Sequence, residues 1–197
     1  MLLSRITRCA FVISLIVLAG CNPKPASVAS VADRTWTTVG GDVIELNSLM
    51  GKAATVFITL DPECPFCQLY TQAFEGLSEK YAAQGVKVVG VYAGPFMEQK
   101  KAASFSADAG FDFPQVMDNG CVLSLALQAR VTPECYLTDA HGRVVYRGAF
   151  DDRAIRQGRK KYEAQKHYLV DAIDAFLATG EPQPEIPAVG CIVECEE

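Results

Sequence analysis

Basic charge is scarce in this chain, histidine nearly so, and no apolar run is long enough to cross a bilayer. Its 197 residues carry 18 Lys and Arg against 23 Asp and Glu, a formal net charge of −5. A phosphate backbone would repel such a surface, which argues against a nucleic-acid partner. No polybasic patch is present to hold anionic lipid. The two histidines are His141, in a turn, and His167, on a helical segment, and both read as solvated surface residues. The single tryptophan, Trp36, reads as packing. No internal repeat and no second domain are visible, and the length suits one compact domain with extensions.

Eight cysteines are present, and the first two fall in an N-terminal segment set apart from the rest. Met1–Arg8 holds two arginines, Cys9–Ala19 is apolar, and Leu18-Ala19-Gly20-Cys21 closes the run. An apolar stretch this short reads as a signal peptide rather than a spanning helix. Leu-Ala-Gly-Cys resembles the bacterial lipobox, which implies cleavage before Cys21 and lipid attachment there. Residues 1–20 are thus expected to be a signal peptide and 21–33 a flexible tether. Residues 34–180 are then the folded domain, and 181–197 a cysteine-containing tail. Without Arg5 and Arg8, 16 basic side chains face 23 acidic ones, a net charge of −7. Lipid is then the only membrane anchor expected.

The stretch 54–70 organises the domain. Ala54 to Leu60 is an apolar, β-branched run expected to form a buried strand. Asp61-Pro62-Glu63 makes a turn, and Cys64-Pro65-Phe66-Cys67 opens a segment of helical periodicity. A helix N-terminus has unpaired N–H groups and the positive end of the macrodipole, which favour a thiolate over a thiol. Cys64 is therefore expected to be a solvent-facing nucleophile and Cys67, one turn further in, its resolving partner. Pro65 suits the first helical position. Asp61 and Glu63 are candidate proton acceptors for Cys67.

The rest of the chain alternates. Gly40-Gly41-Asp42 suggests a hairpin within 35–48, and 49–52 a turn. Helices are expected at 65–84, 96–109, 119–129 and 162–178, and strands at 86–92, 113–117, 134–138 and 143–147. Asp139-Ala140-His141-Gly142 supplies a hairpin turn between the last two strands. The charged stretch 151–161 reads as an exposed loop, and 181–197 as an extended, proline-rich tail. This order predicts an α/β fold, a central mixed sheet with parallel strands and a C-terminal β-hairpin, flanked by helices.

With Cys64-Pro-Phe-Cys67 after the first core strand and Val131-Thr132-Pro133 just before the hairpin, the chain resembles the thioredoxin-fold redoxins of the AhpC/TSA type. The likeness covers about 31–177. It implies that the Thr132–Pro133 bond is cis and faces Cys64 and Cys67, with the Thr132 backbone free to pair with a substrate strand. It also implies thiol–disulfide exchange without a cofactor, on protein thiols and disulfides outside the cytoplasm, with an upstream redox partner. The segment Tyr146 to Arg153 and the terminal Val-Gly-Cys191-Ile resemble an exported bacterial subgroup. The domain is then expected in the cell envelope, in the periplasm or at the outer surface.

The chain departs from relatives of this fold in three places. Peroxide-activating redoxins carry Pro-x-x-x-Thr-x-x-Cys, whereas Phe57 and Asp61 precede Cys64 at those spacings, and Cys64 precedes Cys67. A thiol peroxidase is therefore the lesser alternative. Glu63 stands where thioredoxins have Trp before the first cysteine, and Tyr70 where apocytochrome reductases often have Glu. A different class, metal binding or delivery, would join Cys64, Cys67, Cys191 and Cys195 as a four-thiolate zinc site or hold copper. Copper chaperones of this fold usually have wider cysteine spacing and a histidine.

Six cysteines beyond Cys21 allow 15 complete pairings, and sequence does not choose among them. Cys121 is expected as core filler near a helix start and Cys135 as a buried strand residue. Cys191 and Cys195 are expected either to pair with each other or to stay free. A tail that folds back to exchange with Cys64 and Cys67 is a further reading.

Overall fold

The structure is a computed structural model, which describes residues 25–195. Cys21 and the expected signal peptide lie outside the described residues. The elements are β1 (Thr35–Thr38), β2 (Val43–Glu45), α1 (Leu46–Leu49), β3 (Ala54–Leu60), α2 (Pro65–Tyr81), β4 (Val86–Ala93), α3 (Gln99–Ala109) and β5 (Gln115–Asp118). Then follow α4 (Val122–Leu127), β6 (Val131–Thr132), β7 (Cys135–Asp139), β8 (Val144–Gly148), β9 (Ala154–Arg156), β10 (Arg159–Lys160), α5 (Tyr168–Thr179) and β11 (Cys191–Ile192).

Seven strands form one sheet in the order β2-β1-β5-β4-β3-β7-β8. Strands β3, β4 and β5 run parallel, while β1 and β7 pair antiparallel on either side of them. This is the expected α/β class with a mixed sheet, and β7 and β8 are its C-terminal hairpin. All seven residues of β3 are buried because both faces of the sheet are covered. Val56, Ile58 and Leu60 point to the side carrying α2, α3 and α5, where Phe74, Ala102 and Ile173 join the core. Phe57 points to the other side, with Val89, Val91, Leu123 and Leu127. The period of two along the strand thus feeds two cores.

Several boundaries move for physical reasons. The segment expected as tether is packed from its middle onward. Val28 and Val31 are buried, and the Val28 N–H donates to the Gly142 carbonyl at 2.8 Å. Helix α4 starts at Val122, because Asp118 accepts hydrogen bonds from the Leu123 and Ser124 N–H groups and so caps it from the preceding strand. Asp118 also accepts from Trp36 Nε1 at 3.2 Å, which gives the buried indole a partner. Helix α5 begins at Tyr168, six residues after its expected start. The intervening chain instead gives the Gln165 and Lys166 N–H groups to the Asp152 carboxylate. Of residues 49–52, read as a turn, Leu49 closes the one-turn helix α1 and the other three follow it.

The charged stretch 151–161 is exposed over 155–160, as expected, but it is ordered as the two-stranded ribbon of β9 and β10, and Asp151 at its root is buried. Asp151 accepts from the Tyr70 hydroxyl at 2.8 Å and from Arg153 Nε at 2.7 Å, so its charge is paired in the core. Among the described residues no helix is long and apolar enough to cross a membrane.

Candidate active site

Strand β3 delivers the chain to one end of the sheet, and the Asp61-Pro62-Glu63 turn sets Cys64 at the N-cap of α2 with Pro65 at its first position. Asp61 Oδ1 accepts from the Glu63 N–H at 2.7 Å, fixing the turn. Cys67 falls one turn into the helix and is completely buried.

The loop that faces both cysteines is held by β3. Thr59 Oγ1 donates to the Val131 carbonyl and accepts from the Glu134 N–H, both at 2.8 Å, and so clamps both sides of the Thr132–Pro133 bond. That bond is cis. Glu134 is fully buried, and its carboxylate accepts from the Arg130 guanidinium, the Arg130 N–H and the Tyr136 hydroxyl. Arg130 also reaches Glu185 of the tail at 2.7 Å. Sequence reading did not find Thr59 or Glu134. Their only signal was adjacency to the active strand and to Pro133, with no spacing rule to single them out.

Thr132 touches both sulfurs. Its main-chain oxygen lies 3.0 Å from Cys64 Sγ, and its hydroxyl 3.2 Å from Cys67 Sγ. The contact to the carbonyl favours Cys64 as a thiol donor, yet other groups outweigh it. The Cys67 thiol donates to Cys64, and with the Cys191 thiol and the N–H groups of Cys67 and Phe66 it lowers the Cys64 pKa to about 5, against the opposing effect of burial. Burial, and then the thiolate beside it, hold Cys67 well above the ordinary thiol range. The pair is therefore split into a thiolate and a buried proton-bearing thiol, the division of labour that disulfide exchange requires.

The two turn carboxylates do not reach Cys67. Asp61 spends an oxygen on the Glu63 N–H, and Glu63 forms an exposed ion pair with Lys101 at 2.9 Å. The polar neighbours of Cys67 are instead the Thr132 hydroxyl and the Asp61 N–H, the latter 3.4 Å from its sulfur.

Cys64 is not solvent-facing: it is 1% exposed. The cover is the chain's own tail. Strand β11 pairs antiparallel with β6, with Cys191 opposite Thr132 and Ile192 opposite Val131, on the edge expected for a substrate strand. Cys191 Sγ lies 2.7 Å from Cys64 Sγ. A Cβ on Gly190 would come 2.4 Å from the Thr132 oxygen, so only glycine lets the tail lie this close. The tail is fastened beyond this point by a disulfide between Cys195 and Cys121. That bond corrects the expectation of a Cys191–Cys195 pair and of Cys121 as core filler, because Cys191 and Cys195 lead to different partners. It also takes Cys195 out of a four-thiolate metal site, and among the described residues no cluster of three or more His, Cys, Asp or Glu is placed to hold a metal. Cys135 is buried in β7, as expected. A cavity of about 230 Å³ adjoins the site, lined by Asp61, Met97, Thr132 and Ile192 among others.

Comparison with known proteins agrees with this architecture. Residues 29–147 match the AhpC/TSA family. No curated protein matches the chain. Among solved structures, a hypothetical protein from Sinorhizobium meliloti is 26% identical, with a TM-score of 0.74, covering 87% of this chain and 94% of its own. A secreted Mycobacterium tuberculosis disulfide oxidoreductase homologous to Escherichia coli DsbE is 17% identical, with a TM-score of 0.54 over 76% of this chain and 97% of its own. The Xanthomonas campestris bacterioferritin comigratory protein, described for alkyl peroxide reduction, is 22% identical, with a TM-score of 0.56 over 78% of this chain and 96% of its own. The last two share the thioredoxin-like redoxin fold with it.

Proposed function

Since the chain belongs to the AhpC/TSA family, we propose that it is a thiol–disulfide oxidoreductase cycling Cys64 and Cys67, held at a bacterial membrane by lipid on Cys21. Its domain works in the periplasm or at the outer surface, on protein thiols and disulfides, and an upstream redox partner restores it.

The observation that carries this reading is the split pair: an ionised Cys64 at a helix N-terminus, and a protonated Cys67 buried behind it, both against Thr132. Reduced Cys64 attacks a substrate disulfide, the departing sulfur leaves as a thiolate, and Cys67 then attacks Cys64 to release the second substrate sulfur. The sulfurs supply the whole reaction, so no cofactor enters it. Peroxide chemistry is the weaker reading, since Phe57 and Asp61 occupy the positions where the peroxide-activating motif has proline and threonine.

The test is to remove both thiols that lie beside Cys64, Cys67→Ser together with Cys191→Ser, and search the native host for mixed disulfides by non-reducing gels and mass spectrometry. Discrete partner proteins linked through Cys64 are expected. A pattern in that double variant identical to that of Cys64→Ser would overturn the exchange reading. Globomycin-sensitive processing and lipid-labelling of Cys21, abolished by Cys21→Ala, test the anchor.

A further inference from the structure

Three thiols, rather than two, converge on the site. Cys64 touches Cys67 in its own helix turn and Cys191 from the tail, and the Cys191 sulfur is 2.7 Å away where a covalent S–S bond is about 2.0 Å. Nothing about this approach is accidental in the backbone. Cys191 is held in register opposite Thr132, Val193 donates to the Arg130 carbonyl at 3.1 Å, and Glu185 pairs with Arg130 and Arg147. Antiparallel pairing beside a reactive cysteine is how an extended substrate segment would present its own sulfur.

We propose that Cys191 is a third redox-active cysteine, an internal substrate whose thiol exchanges with the Cys64–Cys67 disulfide to give a Cys64–Cys191 disulfide that closes the groove. The inference rests on the exchange chemistry proposed above. When that cycle leaves Cys64 joined to Cys67, the Cys191 thiolate attacks Cys64 Sγ. The Cys191–Cys64 bond forms as the Cys64–Cys67 bond breaks, and the electron pair goes to Cys67 Sγ. Cys67 takes up the proton that Cys191 has lost. One disulfide is exchanged for another, with no external oxidant or reductant.

In the reduced protein no disulfide stands beside Cys191 for it to attack, and its thiol keeps its proton. Burial, and then the Cys64 thiolate, hold the Cys191 pKa up to about 12, so Cys191 stays protonated while Cys64 is ionised. Once Cys64 is in a disulfide its charge is gone, and the effects of that thiolate on Cys191 go with it. Reversal needs only Cys67 to attack Cys64 again, so the tail closes an oxidised enzyme without trapping it permanently.

The same geometry describes the substrates that would displace the tail. They present a cysteine on an extended segment, with a glycine just before it so that the backbone can lie against Thr132.

The experiment is disulfide mapping of the full chain, reduced and then equilibrated with mixtures of reduced and oxidised glutathione. Samples are quenched in acid, alkylated, digested without reduction and read by mass spectrometry. In wild type, Cys64–Cys191 peptides are expected beside Cys64–Cys67 peptides. In Cys67→Ser, Cys64–Cys191 should be the main linkage, and Gly190→Val should lower it several-fold. Cys64 and Cys191 each carrying glutathione in Cys67→Ser, with no linkage between them, would overturn the proposal. So would Cys64–Cys67 as the sole linkage of Cys64 in wild type. Initial rates of Cys191→Ser on a peptide disulfide, expected to exceed wild type several-fold, separate this inference from the reading beneath it. An inert Cys191→Ser with linked peptides present in wild type removes the exchange function and leaves the linkage. An active variant without linked peptides in wild type removes the linkage alone.

Discussion

The Thr132 hydroxyl sits 3.2 Å from Cys67 Sγ, while the nearby Asp61 and Glu63 carboxylates are engaged elsewhere. One threonine thus serves both sulfurs, through its carbonyl on Cys64 and its side chain on Cys67. Thr132→Val keeps the shape and removes only the second contact. It should slow resolution of the mixed disulfide by the worth of one hydrogen bond, roughly 1 kcal/mol. Single-turnover kinetics should show the resolving step slowed and the initial attack by Cys64 little changed.

Ionisation of Cys64 sets a pH dependence with a definite sign. Its folded pKa, about 5, is depressed below that of an unfolded thiol, so between these values the unfolded chain binds the extra proton. Stability of the reduced protein, relative to the oxidised one, should therefore rise as pH increases from about 5 towards the ordinary thiol range, and fall as acid protonates Cys64. Thermal unfolding of both forms across that window checks it. Cys67 and Cys191 are shifted the other way and work against stability only at higher pH.

The Cys67 thiol is the largest contributor to the lowered Cys64 pKa. Cys67→Ala should raise the midpoint of thiolate absorbance from about 5 towards the unperturbed thiol value. An unchanged midpoint would assign the shift to the Cys191 thiol and the helix backbone instead.

Cys64 is ionised yet shielded by β11. A small alkylating reagent should therefore react with it slowly in wild type. Gly190→Val, whose side chain has no room against the Thr132 backbone, should speed that reaction several-fold.

The helix that presents the cysteines is anchored by an aromatic cluster of Tyr70, Phe74 and Phe150, with centroids 5.3 to 5.6 Å apart. Phe74 is fully buried, so Phe74→Ala should destabilise the fold by about 3–5 kcal/mol, measured by denaturant unfolding. Tyr70→Phe should cost less, roughly 1–3 kcal/mol, from the unmet hydrogen bonds of Asp151 and Ala154.

Sequence reading served best where the physics is local. The apolar run before Cys64, the proline after it, and Gly142 in its hairpin turn each act on their own neighbours, and strands and helices followed from them. It failed where one group answers another across the chain. Asp118 caps α4 and pairs with Trp36, and Asp152 delays α5 by binding the N–H groups of 165 and 166. Cys121 finds Cys195 at a sequence separation of 74. The exposure of Cys64 could not be judged from its helix position, because what covers it arrives from residue 191. The glycine before Cys191 was visible in the sequence, but its need to lie against Thr132 is a fact of the fold.

The tail is fixed at both ends of its covering stretch. Ile186 pairs with Gly148 and accepts from the Ala149 N–H at 2.8 Å, and Cys195 is bonded to Cys121. Between those two anchorages the chain can bow outward but cannot swing away like a hinged flap. In the proposed exchange, access to Cys64 would then be bounded by the slack of a tethered cord. Cutting the Cys121–Cys195 bond would free one end of it, so the reach towards bulky partners would be set by a disulfide outside the three reacting thiols.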